Sequence, residues 1–581
     1  MSSFVSYNIT AESLLPTPFS GNPLLPIILL SMAGQKHTPV TTTDIKDSYD
    51  YIIIGGGTAG SVVANRLSEE ECVSVLLLEA GKAPPKITDI PAIYNYLAPT
   101  ELSWRFKTNP VRFTGEGSPE RSVTLNAGKA LGGSSVINGL QNIRGHRRDF
   151  DKWAERGATG YHGVGGPVTV SKPPYTSELK VAVKLAATEL GYNFTDANGP
   201  IQTGFYDLQA TEKRGQRSSI AKGYLVPVDD RENLDIVTEA YVTKIKIVDK
   251  IFTAYAVEFD FEGQTRIVNA TREIILSAGA INSPKLLKLS CIGPKEELER
   301  LDIPVTSDIP VGENLQEQWG VLSIFELSPK IQEFKEKITT KKNIWQYITT
   351  KTGPLASVSG VSTLAFLSQF GNPPPVEYPD YELYFIEGIE EFLTSFSLSE
   401  DLDLQKVYKP HKNQAYFFCL SQVLHPKGRG SVTINTTDPY AQPNIEVEYF
   451  NKDDLETVVA GMKTCLDVGN SEPLKKLGAK PIATFVPECE KSEGNEDDYL
   501  RCISKSVFIS SSHQAGTNKM GAVDDPTTVV DPELRVKGIA QLRVVDASVI
   551  PSLTSGNFIP TIMIAEKASD LIKKSISCPA K

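Results

Sequence analysis

The stretch Tyr51-Ile52-Ile53-Ile54-Gly55-Gly56-Gly57-Thr58-Ala59-Gly60 runs from a short β-branched segment straight into glycine. An apolar run of this kind suits a strand buried on both faces of a parallel sheet. Behind it, Ser61 to Leu67 has a helical pattern, and a second apolar run, Val73 to Leu78, ends in Glu79. The physics is coherent along the whole unit. Gly55 permits the tight turn, Gly57 lets a pyrophosphate approach the backbone, and Gly60 lets the helix lie close to the strand. The helix start offers free N–H groups and positive dipole to the phosphates. Glu79 stands 19 residues beyond Gly60, where an acid meets ribose hydroxyls. Strand, glycines, helix, strand and acid in this order predict a dinucleotide site on an α/β sheet.

Outward from this unit, Gly128 to Gly139 is dense in small residues, with Leu131, Val136 and Ile137 interleaved. Such a segment lets backbone come close to a flat ligand while staying buried. The chain has 581 residues, 40% apolar and 22% charged, and a net charge of −11 from 59 basic and 70 acidic residues. That balance fits a globular protein and lacks the basic footprint of a nucleic-acid binder. The run Leu24 to Met32, which contains Pro26, falls short of the ~18 apolar residues of a membrane span. Residues 1–45 read as a proline-bearing extension. No Lys or Arg precedes Lys36, so Leu24–Met32 is a weak match to a secretory signal, and the lean is slightly toward secretion. Seven cysteines form no Cys-x-x-Cys pair, and with six histidines they suggest no metal site. Cys489 and Cys502 flank an acidic stretch. A disulfide there and a pair of buried thiols are both open readings.

Four separated motifs make the chain similar to the glucose–methanol–choline family of FAD-dependent oxidoreductases. They are the glycine unit with Glu79-Ala80-Gly81, the segment Gly128 to Asp151, and Gly279-Ala280-Ile281-Asn282-Ser283-Pro284 with Gly293. The fourth runs from His513-Gln514-Ala515-Gly516-Thr517 through Asp546-Ala547-Ser548 to Pro560-Thr561 and Lys567. Arg144-Gly145, Arg147-Arg148-Asp149 and the Cys489/Cys502 placement resemble the insect members.

The resemblance implies alcohol oxidation, with hydride passing to flavin N5 and the hydroxyl proton to His513. Asn557 would donate to the developing alkoxide; its spacing to Pro560 is one residue shorter than in the family. For FAD it implies Gly55, Gly57, Thr58, Ala59, Gly60, Glu79 and Ala80 at the nucleotide end. Gly132, Ser134, Asn138 and Gly139 would follow from the second motif, then Val242 and Ala278, and finally Asp546, Ala547, Pro560 and Thr561. Ile137 stands where some members carry the histidine that links FAD, so non-covalent FAD is expected. Asn282, Ser283 and Pro284 read as a helix start, and Pro560 opens a terminal helix whose N-terminus faces the flavin.

The implied architecture is α/β with two domains. A doubly wound parallel-sheet FAD-binding domain comprises 46–165, 215–325 and 505–581. A substrate domain with an antiparallel sheet comprises 166–214 and 326–504, with strands in Ser431–Asn435 and Ile445–Phe450. The expected partners are a small-molecule alcohol and an acceptor, oxygen or quinone, with no nucleic acid and no integral membrane segment. An ecdysteroid 3-hydroxyl with oxygen as acceptor is the expected chemistry. It rests on the cysteines missing around Arg121, an open entrance at the short Trp153–Gly165 segment, and apolar Phe385, Ile386, Ile389, Phe392 and Leu393. A glucose-type sugar with a quinone, a hydroxynitrile-type lyase and a non-catalytic FAD-binding relative are the alternatives.

Overall fold

The computed structural model describes residues 17–19, 22–112, 120–151, 165–248, 250–371, 377–388, 415–482, 487–492 and 494–578. Strand Ser48–Ile54 lies inside a seven-stranded sheet, parallel to Val75–Leu78 on one side and to the end of Gln264–Leu276 on the other. Leu234–Val237 and Leu542–Val544 extend the parallel part at its two flanks. Ile52 and Ile53 point to opposite faces, and both are fully buried, which is why the strand carries no polar residue there. The first half of Gln264–Leu276 turns back antiparallel onto Thr253–Phe261, and Tyr241–Val248 follows. The helix Thr58–Leu67 packs against the terminal helix Phe558–Lys573, burying Val62, Val63, Ala565 and Ala568.

A second seven-stranded sheet is antiparallel throughout. Its order is Lys480–Pro481, Trp319–Glu326, Tyr416–Val423, Tyr381–Glu387, Val361–Leu367 and Gly204–Asp207, with Phe508–Ser510 also on Trp319–Glu326. Its residues alternate between two faces, with one irregularity between Val361 and Thr363. Leu383, Phe385, Phe417 and Cys419 pack under the helices Lys452–Gly469 and Glu178–Glu189. Tyr384, Ile386, Leu420 and Gln422 face the other way, into the main cavity. Trp319–Glu326 and Phe508–Ser510 were expected within the FAD-binding segments and stand in this sheet instead. An apolar run announces burial but not which sheet it joins. Gly430–Thr433 and Asn444–Val447 do form strands, in a separate two-stranded ribbon.

The cysteines settle into three disulfides: Cys72–Cys578, Cys419–Cys465 and Cys489–Cys502. The first ties the loop after the glycine-turn helix to the end of the terminal helix. Part of the N-terminal stretch packs onto the body. Helix Leu25–Leu30 buries Leu25, Ile28 and Leu29 against helix Lys341–Thr350, and Met32 is buried beside them. His37 then bonds Asp89 at 3.0 Å and the Pro84 carbonyl at 2.8 Å. Among the described residues no helix is long and apolar enough to cross a membrane.

Candidate active site

One large cavity lies between the parallel sheet and the open face of the antiparallel sheet. Its nucleotide end is built by the glycine turn. Gly55 has φ +101°, and a Cβ there would sit 2.5 Å from the Ser277 carbonyl. At Gly60 a Cβ would lie 1.9 Å from the Gly55 carbonyl, so only glycine lets the helix start so close to the strand. Gly57 differs. Its nearest neighbour would be Gly133 Cα at 3.8 Å, and the residue opens onto the cavity. Glu79 is buried, taking the Gly56 N–H at 2.8 Å on one oxygen and the Gly81 N–H at 2.7 Å on the other. Burial pushes its carboxyl up to about 7. Each oxygen keeps a lone pair for a ribose hydroxyl.

Three helix N-termini converge here. Thr58 and Ala59, Ala278 to Asn282, and Asn557 with Phe558 and Thr561 all line the cavity. Their N–H groups and dipole ends add a positive field to the charge of Lys285, which also lines the cavity. That fits a pyrophosphate at one end and the negative charge of a reduced flavin at the other. Asp546 holds the second helix start, accepting the Gly279 N–H at 2.8 Å and the Ser283 hydroxyl at 2.6 Å. This corrects the expected start at Asn282–Pro284: the helix begins at Gly279, with Pro284 inside it. Pro284 has no N–H to give the Ala280 carbonyl, and the Thr517 hydroxyl donates to it instead at 2.6 Å. The terminal helix likewise begins at Phe558, ahead of Pro560.

Of the residues expected at FAD, Gly55, Gly57, Thr58, Ala59, Glu79, Ala80, Ser134, Asn138 and Gly139 line the cavity. So do Val242, Ala278, Asp546, Ala547 and Thr561. Gly60, Gly132 and Pro560 do not reach it; they shape the wall from behind. Gly132, at φ +101°, donates its N–H to the Gly56 carbonyl at 2.7 Å and so clips the second motif onto the first. Arg217, fully buried, pins that motif by bonds to the Thr88, Ser135 and Asn138 carbonyls.

At the other end, His513 and Asn557 both stand at the wall. Asn557 precedes the terminal helix but makes no side-chain cap, which leaves its amide for the cavity. His513 Nδ1 lies 2.6 Å from Gln318 Oε1, and its backbone N–H donates to Glu317 at 2.9 Å. Burial pushes the imidazole down to about 4 and Glu317 up to about 8, so the His513 ring is neutral at physiological pH. On the sheet the same cavity is lined by Tyr384, Val361, Ile386, Leu420 and Gln422, the last accepting the Ser511 hydroxyl two residues from His513, and Gln141 lines it too. Glu317, Gln318, Tyr384 and Gln422 went unread in the sequence. The only available signal was the polar run Gln316-Glu317-Gln318 directly ahead of an apolar strand. Phe385 faces away from the cavity, while Ile389, Phe392, Leu393 and most of Trp153–Gly165 lie outside the described residues.

Such a site, glycine-turn α/β domain on one side and antiparallel sheet with a neutral histidine on the other, defines a two-domain flavin oxidoreductase. Two family models, both described as GMC oxidoreductase, match residues 49–319 and 426–565. The chain is 34% identical over 562 residues to the glucose dehydrogenase [FAD, quinone] of Drosophila melanogaster, covering 91% of this chain and 87% of that one. Over 565 residues it is 32% identical to the oxygen-dependent choline dehydrogenase 1 of Chromohalobacter salexigens, covering 90% and 95%. A variant of the Aspergillus oryzae RIB40 formate oxidase superposes with TM-score 0.78 at 26% identity, covering 91% of this chain and 99% of that one. The chain belongs to the GMC oxidoreductase family. It is an FAD-dependent enzyme that oxidises alcohols.

Ile137, at the cavity wall, offers no nucleophile to the flavin. Acid precipitation of the holoenzyme is therefore expected to release all of its flavin into the supernatant, read by absorbance. Yellow colour retained in the pellet would show a covalent link elsewhere.

Proposed function

We propose that the chain oxidises a sugar-type polyhydroxy alcohol, with His513 as the base and Asn557 as donor to the alkoxide oxygen. The observation that carries this reading is that His513 and Asn557 share one cavity with Tyr384, Gln422 and Gln141. Tyr384 gives its O–H to Glu382 at 2.8 Å and Gln141 gives its NH2 to Glu382 and Tyr206, so the phenol and amide oxygens are left to accept from hydroxyls next to the reacting carbinol. FAD, when bound at this cavity, would supply hydride acceptance and two-electron transfer to an acceptor. The neutral His513 takes the hydroxyl proton, and the Asn557 amide holds the oxygen while charge builds on it. The likeness to a glucose dehydrogenase supports a sugar and a quinone acceptor. The three disulfides support folding in an oxidising compartment.

The ecdysteroid reading keeps one support, the apolar Val361, Ile386 and Leu420 on the same face. Anaerobic mixing of the holoenzyme with glucose, with ecdysone and with simple primary alcohols separates the readings. Bleaching by glucose and not by ecdysone is the expected result. Bleaching by ecdysone alone would reverse the assignment. A flavin that stays oxidised with every alcohol would remove the oxidation reading and favour a lyase or a non-catalytic relative.

A further inference from the structure

Gln316, Glu317 and Gln318 lead into strand Trp319–Glu326 and touch both halves of the reactive end. Gln316 pairs its backbone with Ala515 in both directions, at 3.0 and 3.1 Å. Its side chain accepts the Leu553 N–H at 3.0 Å and donates to the Pro551 carbonyl at 3.3 Å. Glu317 accepts the His513 N–H and, at 3.0 Å, the Ser510 hydroxyl. The segment therefore fixes the His513 backbone and the loop that leads to Asn557.

Gln318 does something more specific. One end of its amide lies 2.6 Å from the Leu424 carbonyl and 3.2 Å from the Thr554 carbonyl. Carbonyl oxygens only accept, so that end is the NH2. The other end is then the oxygen, and it lies 2.6 Å from His513 Nδ1. An amide oxygen only accepts, so Nδ1 carries the proton. In a neutral imidazole the remaining nitrogen, Nε2, then bears the lone pair. Two carbonyls thus determine which nitrogen of His513 can take a proton.

We infer that Gln318 is a positioning residue: it selects the Nδ1–H tautomer of His513, leaves Nε2 as the base, and through Thr554 keeps that base in register with Asn557. The inference rests on the reading of His513 as the base. Neighbouring ionisable groups are Glu317, Tyr449 against it, and His425 with Asp149 beyond Leu553.

The test compares Q318L, Q318E and H513A holoenzymes in anaerobic flavin reduction by an alcohol that bleaches the wild type, across the pH range. Loss of the partner that fixes a histidine's tautomer costs ~10⁴-fold in the serine-protease triad. A neutral amide is expected to be worth less, so Q318L should keep its FAD and its half-saturating alcohol concentration while reduction slows by about 100-fold. Q318E offers a carboxylate to the same N–H and favours the imidazolium. Its acid limb should move up by about one to two pH units. A wild-type rate in Q318L, or an unmoved acid limb in Q318E, overturns the inference. So does loss of FAD from both, which would make the role purely structural. If H513A itself reduces at the wild-type rate, the base assignment fails, and the inference falls with it; a slow H513A beside a fast Q318L removes Gln318 alone.

Discussion

His513→Ala is expected to slow anaerobic flavin reduction by about 10³-fold while leaving FAD bound, since general base catalysis contributes ~10²–10⁴-fold. The side chain meets the cavity at the reactive end, far along the wall from the glycine turn that receives the phosphates. The same residue is expected to set the acid limb of the wild type. Burial disfavours the imidazolium and pushes its pKa down to about 4, below the ordinary histidine value of 6.5. The base therefore stays unprotonated on lowering the pH to about 4, and kcat/KM falls only below that. The sign for stability agrees. The unfolded chain binds this proton at higher pH than the folded one, so acid weakens the fold between the two values. His513→Ala should flatten both limbs, measured by stopped-flow reduction and by thermal unfolding against pH. An acid limb that persists in the variant would assign it to another group.

Gly60→Ala carries the second large effect: no FAD-loaded protein. Its new methyl would sit 1.9 Å from the Gly55 carbonyl and 3.2 Å from Ile53 Cγ2. Gly55 cannot retreat, because its own backbone lies against Ser277. Overpacking that must move main chain belongs to the rare class above ~4 kcal/mol. Gly57→Ala is the control. Its methyl has 3.8 Å of room, so the apoprotein should melt within a few degrees of wild type. That methyl would still occupy the space through which the pyrophosphate approaches, and FAD should bind weakly. The ratio of flavin to protein absorbance after purification reads both variants. A Gly60→Ala protein loaded like the wild type would mean that the turn is not what positions the helix.

The glycine unit was legible because each of its requirements is local. Tight turn, close approach and helix start fall within ten residues and leave their mark in residue type. Asp546 and His513 were legible only through resemblance, since nothing in their neighbours says what they touch. Gln318 was not legible at all: its partner lies 195 residues away, and tautomer selection is a matter of contact. The substrate wall failed for a different reason. On a strand buried on both faces, such as Tyr381–Glu387, polar residues fall on both parities, Glu382 and Tyr384 on one and Glu387 on the other, and so do not tell which faces the cavity. Phe385 and Ile386 are equally apolar, yet only Ile386 lines the site. Ser283 and Pro284 misled because capping residues within a helix can serve other partners, here Asp546 and the carbonyl that Thr517 covers.

Strand Leu542–Val544, the terminal helix and the Cys72–Cys578 link have an implication for the order of events during translation. The glycine turn is made long before the helix that packs on it. A nascent chain stopped before Leu542 owns the turn and Glu79 but lacks Asp546, Asn557 and one of the three helix starts that supply the positive field. Flavin capture at the complete site therefore waits until Phe558–Lys573 has left the ribosome. Until then a half-built nucleotide site stands open, with Cys72 unpaired and available to the wrong thiol.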